Sequence, residues 1–226
     1  QTQEEMNAHL ANGGTPNSGT NWGAGDVMYA NLDGKEGVNN GSNTLEDHGD
    51  LTIIGNNTPR YNFGLTLTGA WKGFDFSVFL QGVMKRDYWL DGPYFWGANG
   101  GLWQSTAFKE HMDYWRPEGD PLGANTNAYY PKPYFNTDKN QKVQSGYLQN
   151  AAYCRLKNAQ IGYTLPKTWT RKAAMESVRV YVSGDNLVTF SGISGVFDPE
   201  LLGSDWGDGK LYPLQRTISI GLNVNF

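Results

Sequence analysis

Cysteine, histidine, long apolar runs and net charge are all scarce in this chain. Cys154 is the single cysteine among 226 residues, which excludes a disulfide framework and a thiolate metal site. The 3 histidines, His9, His48 and His111, are scattered, with no H-E-x-x-H or comparable zinc spacing. There is no G-x-S-x-G elbow and no phosphate-cradling glycine loop between strand and helix. Carboxylates are present, but nothing fixes the separation of a pair as a glycosidase requires. The chain is therefore read as not an enzyme. No segment approaches the ~20 apolar residues of a membrane helix, and the mean hydropathy is -0.56. A formal charge of -4 argues against nucleic acid, which asks for clustered Lys and Arg. The opening QTQEEMNAHL has no initiator Met, no basic n-region and no apolar signal segment. A piece of a longer precursor, or a processed subunit, is expected.

What the chain does have is aromatics, glycine and alternation. It carries 8 Trp, 13 Tyr and 29 Gly. The final segment, LQRTISIGLNVNF, places Ile218, Ile220, Leu222, Val224 and Phe226 on one parity. Thr217, Ser219, Gly221, Asn223 and Asn225 take the other, so a strand here has one apolar and one polar face. A terminal amphipathic strand ending on Phe226 resembles the signal that outer-membrane barrel assembly reads. The same parity gives strands over about 60–71, 74–86, 153–165 and 177–190, besides 214–226. Tyr61, Phe63, Leu65, Leu67 and Trp71 share a face in the first; Phe74, Phe76, Val78, Leu80 and Met84 share one in the second. The third alternates clearly only in its second half, where Ala159, Ile161, Tyr163 and Leu165 oppose Asn158, Gln160, Gly162 and Thr164. In the fourth, Val178, Val180 and Val182 oppose Arg179, Tyr181, Ser183 and Asp185.

Connections alternate in length. Lys72-Gly73 is a minimal turn and Pro166 to Glu176 a short one, whereas 1–59, 87–150 and 191–213 are long. Connections beyond ~12–15 residues are uncommon in compact soluble domains, but short turns alternating with long loops are normal for an outer-membrane barrel. The apolar faces are assigned to lipid and the polar faces to the lumen. Aromatics such as Trp71, Tyr163 and Phe226 then fit the interfacial girdle. Five strands cannot close a bacterial barrel, which needs at least ~8, so the chain must pair with strands outside it.

These residues resemble SusC-like TonB-dependent outer-membrane transporters, in their C-terminal portion. The resemblance is carried by GDVMYANLDGKEG (Gly25 to Gly37), IIGNNTPRYNFGL (Ile53 to Leu65) and WKGFDFSVFLQGVMKRD (Trp71 to Asp87). RLKNAQIGYTLP (Arg155 to Pro166), VRVYVSGDNLVTF (Val178 to Phe190), FDPE (Phe197 to Glu200) and YPLQRTISIGLNVNF (Tyr212 to Phe226) continue it in the family's order. The resemblance implies an all-β fold: the last strands of a large antiparallel transmembrane β-barrel, of roughly 22 strands, with long extracellular loops. It also implies an N-terminal plug, energy through TonB, a SusD-like surface lipoprotein as partner, and the outer membrane of a Gram-negative bacterium.

Two loop regions are candidate sites. Asn31-Leu-Asp-Gly-Lys-Glu-Gly, with Glu46, Asp47 and Asp50 downstream, offers calcium a weak site near Asp33. Family members carry acidic residues where this chain has Asn31 and Lys35, and a lysine in the cage competes with the ion. No metal or other cofactor is therefore assigned. The aromatic-rich loop from Tyr88 to Phe135 offers ring faces for sugar or peptide, and Trp89, Tyr94, Trp96 and Trp103 are the ligand-binding candidates. Most of its rings are expected to pack the loop itself, and Ala107 to Trp115 is expected to hold a short helix. Lumenal polar residues such as Asp75, Gln81, Lys85, Asn158, Gln160, Arg179, Tyr181 and Asp185 are expected to hydrogen-bond the plug or lumenal water. The function expected is import of an oligosaccharide or peptide nutrient. The rival readings are a soluble secreted carbohydrate-binding β-sandwich and an outer-membrane barrel without energised transport.

Overall fold

The computed structural model describes residues 2–15, 21–35, 37–97, 106–135, 137–203 and 208–226. The chain divides into two compact units, Gln1–Gly55 with Trp89–Leu148 and Asn56–Tyr88 with Gln149–Phe226.

The second unit is a five-stranded sheet built from β1 (Arg60–Trp71), β2 (Phe74–Lys85), β5 (Tyr153–Thr164), β6 (Ser177–Ser191) and β7 (Thr217–Asn225). The order is β1-β2-β5-β6-β7 and every neighbour is antiparallel. Two short strands, β3 (Asp87–Tyr88) and β4 (Gln149–Asn150), form a separate pair. The β1–β2 hairpin turns on Lys72 and Gly73, at φ 48° and 88°. Positive φ at both central residues gives the twist that matches flanking strands, and Gly supplies it without strain.

Register makes the two faces chemically distinct. The row Phe76, Ile161, Val182, Ile220 runs across four strands, and the next row is Ser77, Gln160, Ser183, Ser219. The apolar row is exposed on every strand, with Ile220 at 79%. On the other face, Arg179 donates to Asp75 through Nε (2.9 Å) and Nη2, and Asn158 donates to Asp185 (2.8 Å). Soluble monomers rarely expose a contiguous apolar face of this kind. β5 alternates poorly in its first half because a bulge at Lys157, between pairs Leu80–Leu156 and Phe79–Asn158, shifts the register. Arg155 and Lys157 therefore share the polar face with Asn158 and Gln160, and the sequence parity flips there.

β7 begins at Thr217, later than alternation suggests. Its ladder to β6 stops at Asp185–Thr217, where Asn186 turns to φ 50°. The Asn186 side-chain amide then donates to the Gln215 carbonyl (3.1 Å) in place of a backbone partner. The connection after β6 folds back onto the polar face. Arg155, 3% exposed, donates to Thr189 Oγ1 and Asp198 Oδ1 (2.7 Å each). Lys157 donates to Glu200 Oε2 (2.8 Å). FDPE thus ties its loop to β5 through ion pairs.

The first unit is loop-rich. Helix α1 (Gln3–Ala11) starts at a capping box: Thr2 Oγ1 accepts from the Glu5 amide (3.2 Å) and Glu5 Oε2 accepts from the Thr2 amide (2.8 Å). Helix α2 (Pro93–Trp96) is one turn, entered through Gly92 and ended at Gly97, both at positive φ. The helix expected between Ala107 and Trp115 is a 3₁₀ turn over Lys109–Met112. The two long connections foreseen as separate loops, before β1 and after β2, meet in this one unit.

Candidate functional site

The first unit is organised by aromatic packing. Phe95 is fully buried and meets Trp96 edge-on with centroids 5.0 Å apart. Trp96 meets Tyr147 at 5.0 Å, and Tyr130 meets Tyr129 at 4.9 Å. Such edge-to-face pairs add to plain area burial. His111 fastens this cluster: its Nδ1 accepts from the Phe108 amide (2.9 Å), so the neutral ring carries its proton on Nε2. That Nε2 lies 3.1 Å from the Tyr94 and Phe95 carbonyl oxygens. His9 and His48 likewise lie against the backbone carbonyls of Tyr29 and Gly49. All three histidines are engaged with the fold.

Beside the cluster lies a cavity of about 390 Å³, walled by Trp96, Tyr114, Tyr130, Pro133, Tyr134 and Phe135 among others. Its second wall is held by a buried charge pair. Lys139 Nζ donates to Asp26 Oδ2 and to the Asn21 carbonyl, each at 2.7 Å. Asn140 Nδ2 donates to Asp26 Oδ1 (2.9 Å) and to the Lys132 carbonyl (3.1 Å). The Lys139 ammonium also sits 4.1 Å from the Tyr134 ring centre. These bonds tie residues 21–27 to 132–140.

Burial pushes the phenols of Tyr130, Tyr134 and Tyr147 well above their ordinary value, and nearby Asp26 adds to the shift at Tyr134. They stay neutral at any physiological pH. Asn140 and His111 also line the cavity, but their polar atoms are engaged. What the cavity offers is ring face and apolar surface, suited to stacking and to apolar groups rather than to proton transfer.

The candidates from the sequence fall as follows. Trp96 is 6% exposed and lines the cavity. Trp89 is half-buried with its ring 5.8 Å from Trp96. Tyr94 stacks on Phe108 at 5.5 Å. Trp103 lies outside the described residues. Phe135 and Pro133 complete the walls without having been singled out. The buried Asp26–Lys139 pair was missed too, since no local pattern marks two residues 113 positions apart.

Near Asp33 the loop is ordered by its own donors. Asp50 Oδ1 accepts from the Leu32 and Asp33 amides (2.5 and 3.1 Å) and Oδ2 from the Asn39 amide (2.7 Å). Lys35 Nζ is 3.4 Å from Asp33 Oδ2. Calcium would have to displace that ammonium, and among the described residues no three His, Cys, Asp or Glu side chains converge. Glu36 of this segment lies outside the described residues, and the donors that are described fit the ion poorly.

No protein-family model matches the chain. Among known proteins it is similar to TonB-dependent receptor P3 of Formosa agariphila, 30% identical over 89% of this chain and 19% of the receptor. It is also similar to TonB-dependent receptor SusC of Bacteroides thetaiotaomicron, 26% identical over 83% of this chain and 17% of that protein. Among solved structures, the RagAB peptide transporter matches with a TM-score of 0.59 and 27% identity, over 77% of this chain and 18% of that one. The chain thus spans about a fifth of the length of the relatives it matches. Those relatives bear the names of receptors and a transporter, not of enzymes.

Proposed function

From the premise that this chain is a homologue, over most of its length, of SusC-like TonB-dependent receptors, we propose that it forms the C-terminal strands and loops of an outer-membrane nutrient transporter in a Gram-negative bacterium. The observation that carries the reading is a sheet with an exposed apolar row on every strand and a polar, ion-paired opposite face. Its strands run 9 to 15 residues, and about 9–11 tilted residues cross a bilayer. In this reading the barrel has roughly 22 strands. It holds a plug supplied by the rest of the receptor, is energised through TonB and works with a SusD-like lipoprotein. Phe226 serves as the assembly signal.

The cargo is a peptide or an oligosaccharide, and the likeness to a protein named a peptide transporter supports the peptide. Trp89, Tyr94, Trp96 and Trp103 belong to the aromatic loop that contributes to capture, with Tyr114 and Phe135 as ring surfaces at the cavity. The soluble sandwich is disfavoured because, among the described residues, no second sheet covers the apolar face.

The test uses the intact receptor with its lipoprotein in cells, scored by uptake of labelled short peptides and of labelled oligosaccharides. Uptake of one cargo class should vanish when TonB is deleted. Phe135 is 57% exposed, so Phe135→Ala removes a ring at little cost to folding. One aromatic contact is worth about 0.5–1.5 kcal/mol, so capture should weaken roughly two- to tenfold. Uptake that persists without TonB would leave the non-energised barrel, and a protein found only in soluble fractions would leave the sandwich.

A further inference from the structure

One end of the sheet carries a cationic, aromatic turn that lies outside the candidate site. The hairpin turn Lys72-Gly73, residues 165–176 and the end of β7 all lie there: the Thr164 amide donates to the Gly73 carbonyl, and the Glu176 amide to that of Asn225, each at 2.8 Å. The β5–β6 connection is bridged by its own backbone hydrogen bonds. Helix α3 (Lys167–Thr170) begins after Pro166, a 3₁₀ turn follows at Arg171–Ala173, and Ala174 closes it in the left-handed region at φ 55°. Thr170 is 2% exposed, and its carbonyl accepts from the Met175 amide at 3.1 Å.

This frame holds Lys167, Arg171 and Lys172 exposed. None of them has an ion pair among the described residues. Between them stands Trp169, 63% exposed. At the neighbouring turn Lys72 lies 4.9 Å above the ring of Trp71, itself 70% exposed. The acidic residues near this end are Glu176, exposed on its own, and Asp75, held by Arg179. The turn is continuous with the apolar row of the outer face that crosses all five strands nearest this end: Trp71, Phe74, Tyr163, Val180 and Leu222.

We propose that this end of the sheet binds the headgroups of anionic phospholipids, with Lys167, Arg171 and Lys172 on the phosphates and Trp169 at headgroup depth beside them. The inference rests on the reading that the apolar face meets lipid. Indole rings favour the bilayer interface, and long cationic side chains beside an apolar surface reach outward to it. A turn that met only water would gain nothing from exposing an indole among its cations. Each basic residue near an anionic membrane strengthens attachment about fivefold, so the three together give a preference for anionic over zwitterionic lipid on the order of a hundredfold at low salt.

The experiment takes the intact barrel protein that carries this chain, in detergent micelles doped with dioleoyl-phosphatidylglycerol or dioleoyl-phosphatidylcholine, and counts retained lipids by native mass spectrometry. The wild type should retain phosphatidylglycerol preferentially, and the preference should fade as NaCl rises to about 0.5 M, where exposed charges are screened. Lys167→Gln with Arg171→Gln and Lys172→Gln should abolish most of it. Lys167→Arg with Arg171→Lys and Lys172→Arg should keep it, and Trp169→Ala should lower retention of both lipids. If the glutamine variant fails to assemble, the salt titration and the charge-keeping variant carry the test. Equal retention of both lipids by the wild type overturns the proposal, as does a preference that survives the glutamine changes. So does a preference erased by inorganic phosphate but not by NaCl of equal ionic strength, which would mark a free-phosphate site. Retention of neither lipid would instead remove the lipid-facing reading itself.

Discussion

Asp26 and Lys139 are taken almost wholly out of water, with side-chain exposures of 0% and 5%. Desolvating both charges offsets much of their attraction, so the pair adds little net stability, yet removing one partner strands the other at a cost of about 3–5 kcal/mol. Lys139→Met should therefore open the loop unit to protease at residues 21–27 and 132–140 while leaving the sheet resistant. Adding Asp26→Leu to it should recover most of the loss. Limited proteolysis with mass mapping reads both, and equal resistance of Lys139→Met and wild type would show that the pair is dispensable. Asp50 makes the opposite kind of contact, near the surface. Desolvation works against its charge, but the amides of Asn39, Leu32 and Asp33 outweigh this and hold its carboxyl below the usual range. A depressed folded pKa means the contribution is complete above the unfolded value, about 4, and is lost as pH falls through the folded one. Exchange protection at the Leu32, Asp33 and Asn39 amides should accordingly hold at neutral pH and collapse only in acid. In Asp50→Asn one acceptor oxygen becomes a donor facing an N–H, and protection should be weak even at pH 7.

The strands were the most legible elements, because period-two alternation survives wherever one face meets an apolar medium and the other a polar one. Ile220 and Ser219 are adjacent in β7 and paired with Val182 and Ser183 of β6, so they test that alternation directly. Ile220→Arg puts a charge on the apolar row and should cost about 2–4 kcal/mol near the bilayer midplane, seen as reduced heat-resistant barrel in outer membranes. Ser219→Arg faces the polar side and should assemble nearly as well as wild type; equal assembly of the two would refute the membrane face. Legibility failed where a local device broke the period. The bulge at Lys157 puts Arg155 on the same face as Asn158 although their sequence parities differ, and so hid the first half of β5, and the capture of the Gln215 carbonyl by the Asn186 side chain delays β7. In the loop unit the aromatics were visible as composition, but their roles were not. Trp96 is core and cavity wall at once, Tyr94 is a stacking partner, and only tertiary contacts separate them. The Asp26–Lys139 clamp and the meeting of residues 1–55 with 89–148 have no period at all.

At the scale of the whole molecule the decisive fact is that, among the described residues, the sheet has two open edges. β1 spans 12 residues and β7 spans 9, and in an antiparallel edge strand about every second residue turns its N–H and C=O outward. That leaves on the order of twenty backbone groups without partners within this sheet, and each would cost several kcal/mol in hydrocarbon. No apolar face of five strands could offset a penalty of that size, so a sheet of this kind persists in a bilayer only with further strands on both sides. The comparison with TonB-dependent receptor P3 agrees in scale: 215 aligned residues make up 19% of that receptor, which is therefore about 1,100 residues long. With 226 residues weighing 25.1 kDa, a polypeptide of that length is about 125 kDa. The denatured mass of the native polypeptide carrying these residues, extracted from outer membranes with detergent, should be close to that value. A species near 25.1 kDa that stays bound to a large membrane partner would satisfy the edges by a second chain, making this a split barrel. A species of that size that stays soluble without any partner would show that the edges need no such cover and that the exposed apolar rows meet something other than lipid.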